Sequence, residues 1–109
     1  MKRGEIYLVD LEPPRGHEQR GHRPVLIVSS TEFNSIMRLP IVAPISNGAQ
    51  FARKHGLVVP LIGTKTTGVV RCDQPRALDI AERGGRFVEV LPVELIEDVL
   101  ARISALFVA

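Results

Sequence analysis

Cys72 is the only cysteine in the chain, so no internal disulfide can close, and the thiol reads as a small, buried, inert side chain. Histidine is nearly as scarce. His17, His22 and His55 share no metal-ligand spacing with one another or with Cys72, so neither a metal nor another cofactor is expected. No apolar run approaches the roughly 20 residues needed to span a bilayer. The opening Met1-Lys2-Arg3-Gly4-Glu5 runs straight into a strand-like segment with no apolar signal region. A cytoplasmic protein with no membrane partner is the expectation. There is no internal repeat and no low-complexity stretch. At 109 residues there is material for one hydrophobic core but not for two ordinary domains, so residues 1–109 are read as a single domain. With 45% hydrophobic and 24% charged residues the composition is that of a folded chain rather than a disordered one.

The net charge of +2 conceals an uneven distribution. Residues 1–30 carry five basic and four acidic side chains, residues 31–76 six and two, and residues 77–109 three and six. The basic middle favours a phosphate-bearing partner, and the acidic end repels one.

Strand formers bounded by Gly4 and the Pro13-Pro14 pair predict a strand over residues 5–10. A polar loop follows, and then the continuous apolar run at 24–30 predicts a strand buried on both faces. Residues 39–45 read as a further strand whose two prolines, Pro40 and Pro44, remove ladder donors and place it at an edge or a bulge. Two more strands are expected at 56–61 and 68–72, with a short sixth plausible within 74–80. Residues 31–36 suit one helical turn capped by Ser30 or Thr31. Five strands with short connections suggest a small barrel. Val93, Ile96, Val99, Leu100, Ile103, Leu106 and Phe107 recur at three- and four-residue spacing, which predicts a C-terminal amphipathic helix with Pro92 at its first position. The fold class is therefore mainly β with a C-terminal α-helix.

A chain without a metal site can still cleave RNA, because the 2′-hydroxyl beside the scissile phosphate supplies the nucleophile. One group must take its proton, a second must protonate the departing 5′-oxygen, and a cation must steady the phosphorane. Arg71 and Asp73, two residues apart in or just after a strand, project from one face if the extended conformation continues. That placement suits a carboxylate base beside a phosphate-binding cation, and it equally describes a surface ion pair. His17, in the polar loop, has a side chain whose ordinary pKa of about 6.5 suits proton transfer, and is also what a solvated loop histidine looks like. Arg23, held extended by Pro24, offers a two-pronged grip on a phosphate or a partner for Glu5 or Asp10. The loop at 46–54 mixes Ser46, Asn47, Phe51, Arg53 and Lys54, a set that can hydrogen-bond bases, stack one and track a backbone. Phe51 also fits the role of a core anchor.

Several separate segments resemble the PemK and MazF toxin family. They are Gly16-His17-Glu18-Gln19 with Gly21 and Arg23-Pro24-Val25-Leu26-Ile27-Val28, Leu39-Pro40 with Ala43-Pro44-Ile45-Ser46, and Asn47-Gly48 with Phe51-Ala52-Arg53. The run Thr66-Thr67-Gly68-Val69-Val70-Arg71-Cys72-Asp73-Gln74-Pro75-Arg76 is similar to the Kid/PemK branch, and Ala81-Glu82-Arg83-Gly84-Gly85 with the terminal helix extends the likeness over nearly the whole chain. The resemblance implies a small SH3-like β-barrel of the PemK/MazF/CcdB type, forming a homodimer. It implies the toxin of a type II toxin-antitoxin pair, an mRNA interferase that cleaves single-stranded mRNA at UA-containing sites without a metal. The products would be a 2′,3′-cyclic phosphate and a 5′-hydroxyl, and translation and growth would stop. Asp73 is then the base and Arg71 the acid and phosphate ligand, with His17, Arg23 and Ser46 as further catalytic groups. Glu18, Gln19, Asn47, Phe51, Arg53, Thr67, Val69 and Gln74 would contact RNA. An antitoxin would lay an extended acidic segment over the RNA groove, and the toxin-antitoxin complex is a candidate binder of operator DNA.

Three departures bear on recognition rather than reaction: Ser46-Asn47 stands where Thr-Ser is usual, His55 replaces a small residue, and Leu57 replaces an aromatic one. The gyrase-poisoning toxin CcdB shares the barrel without being a nuclease, so a CcdB-like gyrase poison is the alternative. An inactive barrel acting only as an antitoxin partner is a third reading. Retention of His17, Arg71 and Asp73 favours the nuclease over both.

Overall fold

The computed structural model describes residues 1–11, 22–48 and 50–108, with Phe51 described in its backbone alone. Its elements run β1 (Glu5–Val9), β2 (Arg23–Ile27), α1 (Thr31–Met37), β3 (Ile41–Ser46), α2 (Gln50–Lys54), β4 (Val58–Pro60), β5 (Val69–Arg71), β6 (Arg76–Ala77), β7 (Arg86–Val90) and α3 (Val93–Ala105). All pairings are antiparallel. The sheet is ordered β4-β5-β3-β2-β1-β7, with β6 attached to β3. The expected β-rich fold with a C-terminal helix is present. Among the described residues no backbone ladder closes the barrel, since β4 and β7 stand at opposite ends of the path.

The sheet has two apolar faces because its strands alternate. Ile6, Leu26, Ala43, Ile45 and Val70 point to one face, where Val99 of α3 is fully buried among them and Leu95, Ile96, Leu100 and Ile103 pack alongside. Removing each of these large side chains from water contributes about 1.5–3 kcal/mol. The spacing of Ile96, Val99, Leu100 and Ile103 thus predicted the covered stripe, but Val93, Leu106 and Phe107, read as part of it, are exposed, and Pro92 stands one position earlier than expected, as the N-cap of α3. Arg102 anchors the helix from the side, bonding Asp98 Oδ1 at 2.8 Å and donating to the Gly56 carbonyl. Cys72 lies on this face without exposure, and burial pushes its thiol pKa up to about 11.

Three expectations need correction. First, β3 is not an edge strand: it pairs with β2 on one side and with β6 and β5 on the other. β6 takes Ile41 and Val42, β5 takes Ile45 and Ser46, and Pro44 falls in the gap between them, where a missing N–H costs no ladder bond. Second, residues 86–90, unassigned from the sequence, form β7 against β1. Ile6 pairs with Glu89 and Tyr7 with Phe87, so Val88 is the extra residue of a bulge, and Tyr7 meets Phe87 edge-on at 5.8 Å. Third, the loop read over 46–54 contains α2.

Ser30 caps α1, accepting from Phe33 N at 3.1 Å, and Arg38 ends the helix in the left-handed conformation at φ 57°. Buried Asn34 satisfies its polarity by donating to Met1 O at 3.0 Å and Ser29 O at 3.2 Å. That contact ties the N-terminal residue to α1.

Candidate active site

Strand register assembles the candidate residues. Val25 lies opposite Pro44 and Ser46 lies opposite Val69, so the start of β2 at Arg23, the end of β3 at Ser46 and the start of β5 at Val69 meet at one end of the sheet. Residues directly opposed on neighbouring strands share a face. Val58, opposite Arg71, and Val69, opposite Ser46, both face Ala52 of α2. On the far side of β3, Val9, Val25, Ile27 and Val42 are covered by Leu78 and Ile80. Pro44, Ser46 and Arg71 therefore occupy a strip between two apolar patches.

Arg71 and Asp73 form a two-pronged ion pair, Nε to Oδ1 at 2.9 Å and Nη2 to Oδ2 at 2.7 Å. The extended conformation expected to continue to Asp73 gives way to a turn at Cys72 and Asp73, and the pair closes across that turn. Both side chains are about one-fifth exposed, at 20% and 22%, so the pair is reachable from solvent. The Arg71 hydrogen bonds hold the Asp73 carboxyl below its ordinary value of 3.8. Reciprocally, the bonds to Asp73 raise the already high pKa of Arg71. Two of the five guanidinium N–H groups serve Asp73. A ligand phosphate can engage the rest, in competition with Asp73.

Ser46 brings its hydroxyl to the same strip. Its Oγ is buried and has no hydrogen-bond partner among the described residues, a cost normally met by a ligand or a water. Beside it, Gly68 adopts φ +115°, and a Cβ there would lie 2.6 Å from Ser46 O and 3.2 Å from Asn47 Oδ1. Only glycine lets the chain approach β3 so closely at this point.

Arg23 is exposed, and among the described residues it pairs with neither Glu5 nor Asp10, which removes the seal considered for it. Asn47, Arg53, Thr67 and Gln74 are exposed near the strip. Val69 is only 2% exposed and packs with Ala52 and Val58, so any contact it makes with a ligand goes through its backbone. Leu57 packs on the same small cluster, a core role for one of the three departures. His17, Glu18 and Gln19 lie outside the described residues, as does the Phe51 side chain. Glu89 escaped the sequence reading altogether. Its partners Lys65 and Thr66 are 24 and 23 residues away, and no local pattern announces such a contact.

The fold and site thus define a small antiparallel β-protein that presents, in one strip, a guanidinium–carboxylate pair and a buried hydroxyl with no partner among the described residues. Residues 2–107 match the family model of the PemK-like, MazF-like toxin of type II toxin-antitoxin system. Endoribonuclease PemK of Escherichia coli is 52% identical over 108 residues, covering 97% of this chain and 81% of that protein. Endoribonuclease toxin ChpB of Escherichia coli strain K12 is 38% identical over 108 residues, covering 96% of this chain and 92% of that one. A solved MazE–MazF structure from Deinococcus radiodurans (Form-II) superposes with a TM-score of 0.83 at 26% identity, covering 97% of this chain and 94% of the other. The chain belongs to the PemK/MazF toxin family.

Proposed function

We propose that this chain is the endoribonuclease toxin of a type II toxin-antitoxin pair and that Arg71 and Asp73 carry its reaction. The observation behind this reading is their two-pronged pair at 2.7–2.9 Å, open to solvent and flanked by the Ser46 hydroxyl, which has no partner among the described residues. RNA binding brings a phosphate to Arg71, whose guanidinium exchanges part of its bonding to Asp73 for the phosphate oxygens. Released from those bonds, the carboxylate regains basicity and takes the proton of the 2′-hydroxyl. The 2′-oxygen attacks phosphorus and the bond to the 5′-oxygen breaks. That oxygen leaves with a proton from Arg71 or from His17, giving a 2′,3′-cyclic phosphate and a 5′-hydroxyl. Arg23 and Ser46 bind phosphate oxygens, no metal takes part, and single-stranded mRNA is cut at UA-containing sites, so that translation and growth stop.

The working unit is a homodimer of single-domain, SH3-like barrels in the cytoplasm. A cognate antitoxin covers the RNA strip with an acidic segment, and the toxin-antitoxin complex binds operator DNA. The gyrase-poison alternative is disfavoured because relatives covering nearly the whole chain bear the name endoribonuclease. Replacing the ribose at a mapped cut by 2′-deoxyribose tests the reading. Cleavage there should vanish while neighbouring sites stay sensitive, and continued cutting at the deoxy position would refute 2′-hydroxyl attack.

A further inference from the structure

A side chain of β7 reaches toward the other end of the sheet. Glu89, set at the β7 bulge where the register shifts at Val88, reaches the loop between β4 and β5. Its Oε1 accepts from Lys65 N at 3.2 Å, and its Oε2 accepts from both Thr66 N and Thr66 Oγ1 at 2.7 Å. Burial pushes the Glu89 carboxyl up, but the bonds from the Thr66 hydroxyl, the Thr66 N–H and the Lys65 N–H outweigh it and hold the carboxyl below its usual range. Carboxylate acceptors make hydrogen bonds stronger than neutral ones, and three donors converge here.

The loop is also fixed at its far flank. Leu61 N bonds Gly68 O at 3.0 Å, closing the loop at its base, and at φ +115° a Cβ on Gly68 would lie 2.6 Å from Ser46 O, so glycine is what fits beside β3 here. Inside the loop, Thr64 Oγ1 donates to Thr66 O at 2.7 Å. Thr67 is thus the single residue between two fixed points, Thr66 on Glu89 and Gly68 on Leu61. Thr67 is exposed, and β5 with Arg71 begins two residues further on.

We infer that Glu89 is a positioning residue: its carboxylate sets the β4–β5 loop so that Thr67 and the Gly68 N–H present a preformed surface to the RNA beside Arg71. This rests on the ribonuclease reading above. A loop ordered before binding spares the substrate the cost of ordering it, so loss of the clasp should appear in RNA affinity rather than in the chemical step. Arg71 and Asp73, held by β5 and by each other, keep their geometry.

The test compares wild type, Glu89→Ala, Glu89→Gln and Thr66→Val as full-length proteins. Cleavage kinetics on a single-stranded oligoribonucleotide are measured together with hydrogen exchange at the Lys65 and Thr66 amides. Glu89→Ala should raise KM roughly tenfold with kcat changed less than about threefold, the scale of one or two charge-assisted bonds. Both amides should lose protection. Glu89→Gln, with one acceptor oxygen left, should recover part of the KM, and Thr66→Val should show a smaller rise. A fall in kcat or active fraction at constant KM would mean a purely structural role and would overturn the inference. If Glu89→Ala does not fold, unchanged KM in both Glu89→Gln and Thr66→Val overturns it as well. If wild type itself cuts no RNA, the ribonuclease reading fails, and the amides still decide whether Glu89 holds the loop.

Discussion

Removing the Asp73 carboxylate should separate binding from chemistry in opposite directions. In the resting site this carboxylate occupies two N–H groups of Arg71 at 2.9 and 2.7 Å, and on the proposed reading its negative charge stands beside the scissile phosphate. Asp73→Asn preserves shape and one acceptor oxygen but cancels that charge. Two like charges about 4 Å apart repel by about 1 kcal/mol even in bulk water, so the variant should bind an uncleavable 2′-deoxy-substituted oligoribonucleotide roughly fivefold more tightly. Loss of a general base should meanwhile lower kcat by about 10²–10⁴-fold. Fluorescence anisotropy gives the first number and single-turnover cleavage the second, both at one fixed salt concentration because phosphate contacts are salt-dependent. Weaker binding combined with undiminished kcat would refute both halves of the reasoning. The same pair predicts a stability trend. Because the folded-state pKa of Asp73 is lowered, its contribution is fully present above about pH 4 and is lost as pH falls through the lowered value. Wild type and Asp73→Asn should therefore differ in stability at pH 7 and converge in strong acid.

Three shorter predictions concern the frame. Gly68→Ala places a Cβ 2.6 Å from Ser46 O at φ +115° and should destabilise the fold by about 1–3 kcal/mol, a drop of several degrees in thermal midpoint. An unchanged midpoint would show that the close approach is relaxed in solution. Leu26→Ala, at a fully buried position, should cost about 2–5 kcal/mol in denaturant titration, and a loss below 1 kcal/mol would contradict its place in the core. Cys72, buried and with its thiol pushed up to about 11, should resist a disulfide reagent at pH 8 until denaturant is added. Stoichiometric labelling of the native protein would count against that burial.

Elements whose hydrophobic pattern was unbroken were legible in the sequence. The run at Val25–Val28 and the three- and four-residue spacing of Val99 and Ile103 predicted β2 and α3, because burial itself creates those patterns. β7 escaped because Phe87 and Val90 remain 54% and 58% exposed and the bulge at Val88 disrupts the alternation. α2, Gln50–Lys54, has only five residues, too few to show a helical period. The prolines misled for β3 because a strand that changes partners along one side has a gap where an N–H is not needed. At the site, Arg71 and Asp73 were singled out by their two-residue spacing, although the strand assumed to carry both gives way to a turn at Cys72. Ser46 and Gly68 become neighbours only through β3–β5 pairing, and Glu89 only through a contact across 23 residues.

The central claim is that Arg71 and Asp73 cleave RNA, and mapping the cuts that purified protein makes in a long single-stranded RNA in the presence of EDTA tests it most directly. The account predicts discrete cuts at UA-containing sites with cyclic-phosphate 3′ ends, lost in Arg71→Ala and reduced at least a hundredfold in Asp73→Asn. Cleavage that persists in both variants, or no cleavage by the folded wild-type protein, would contradict it.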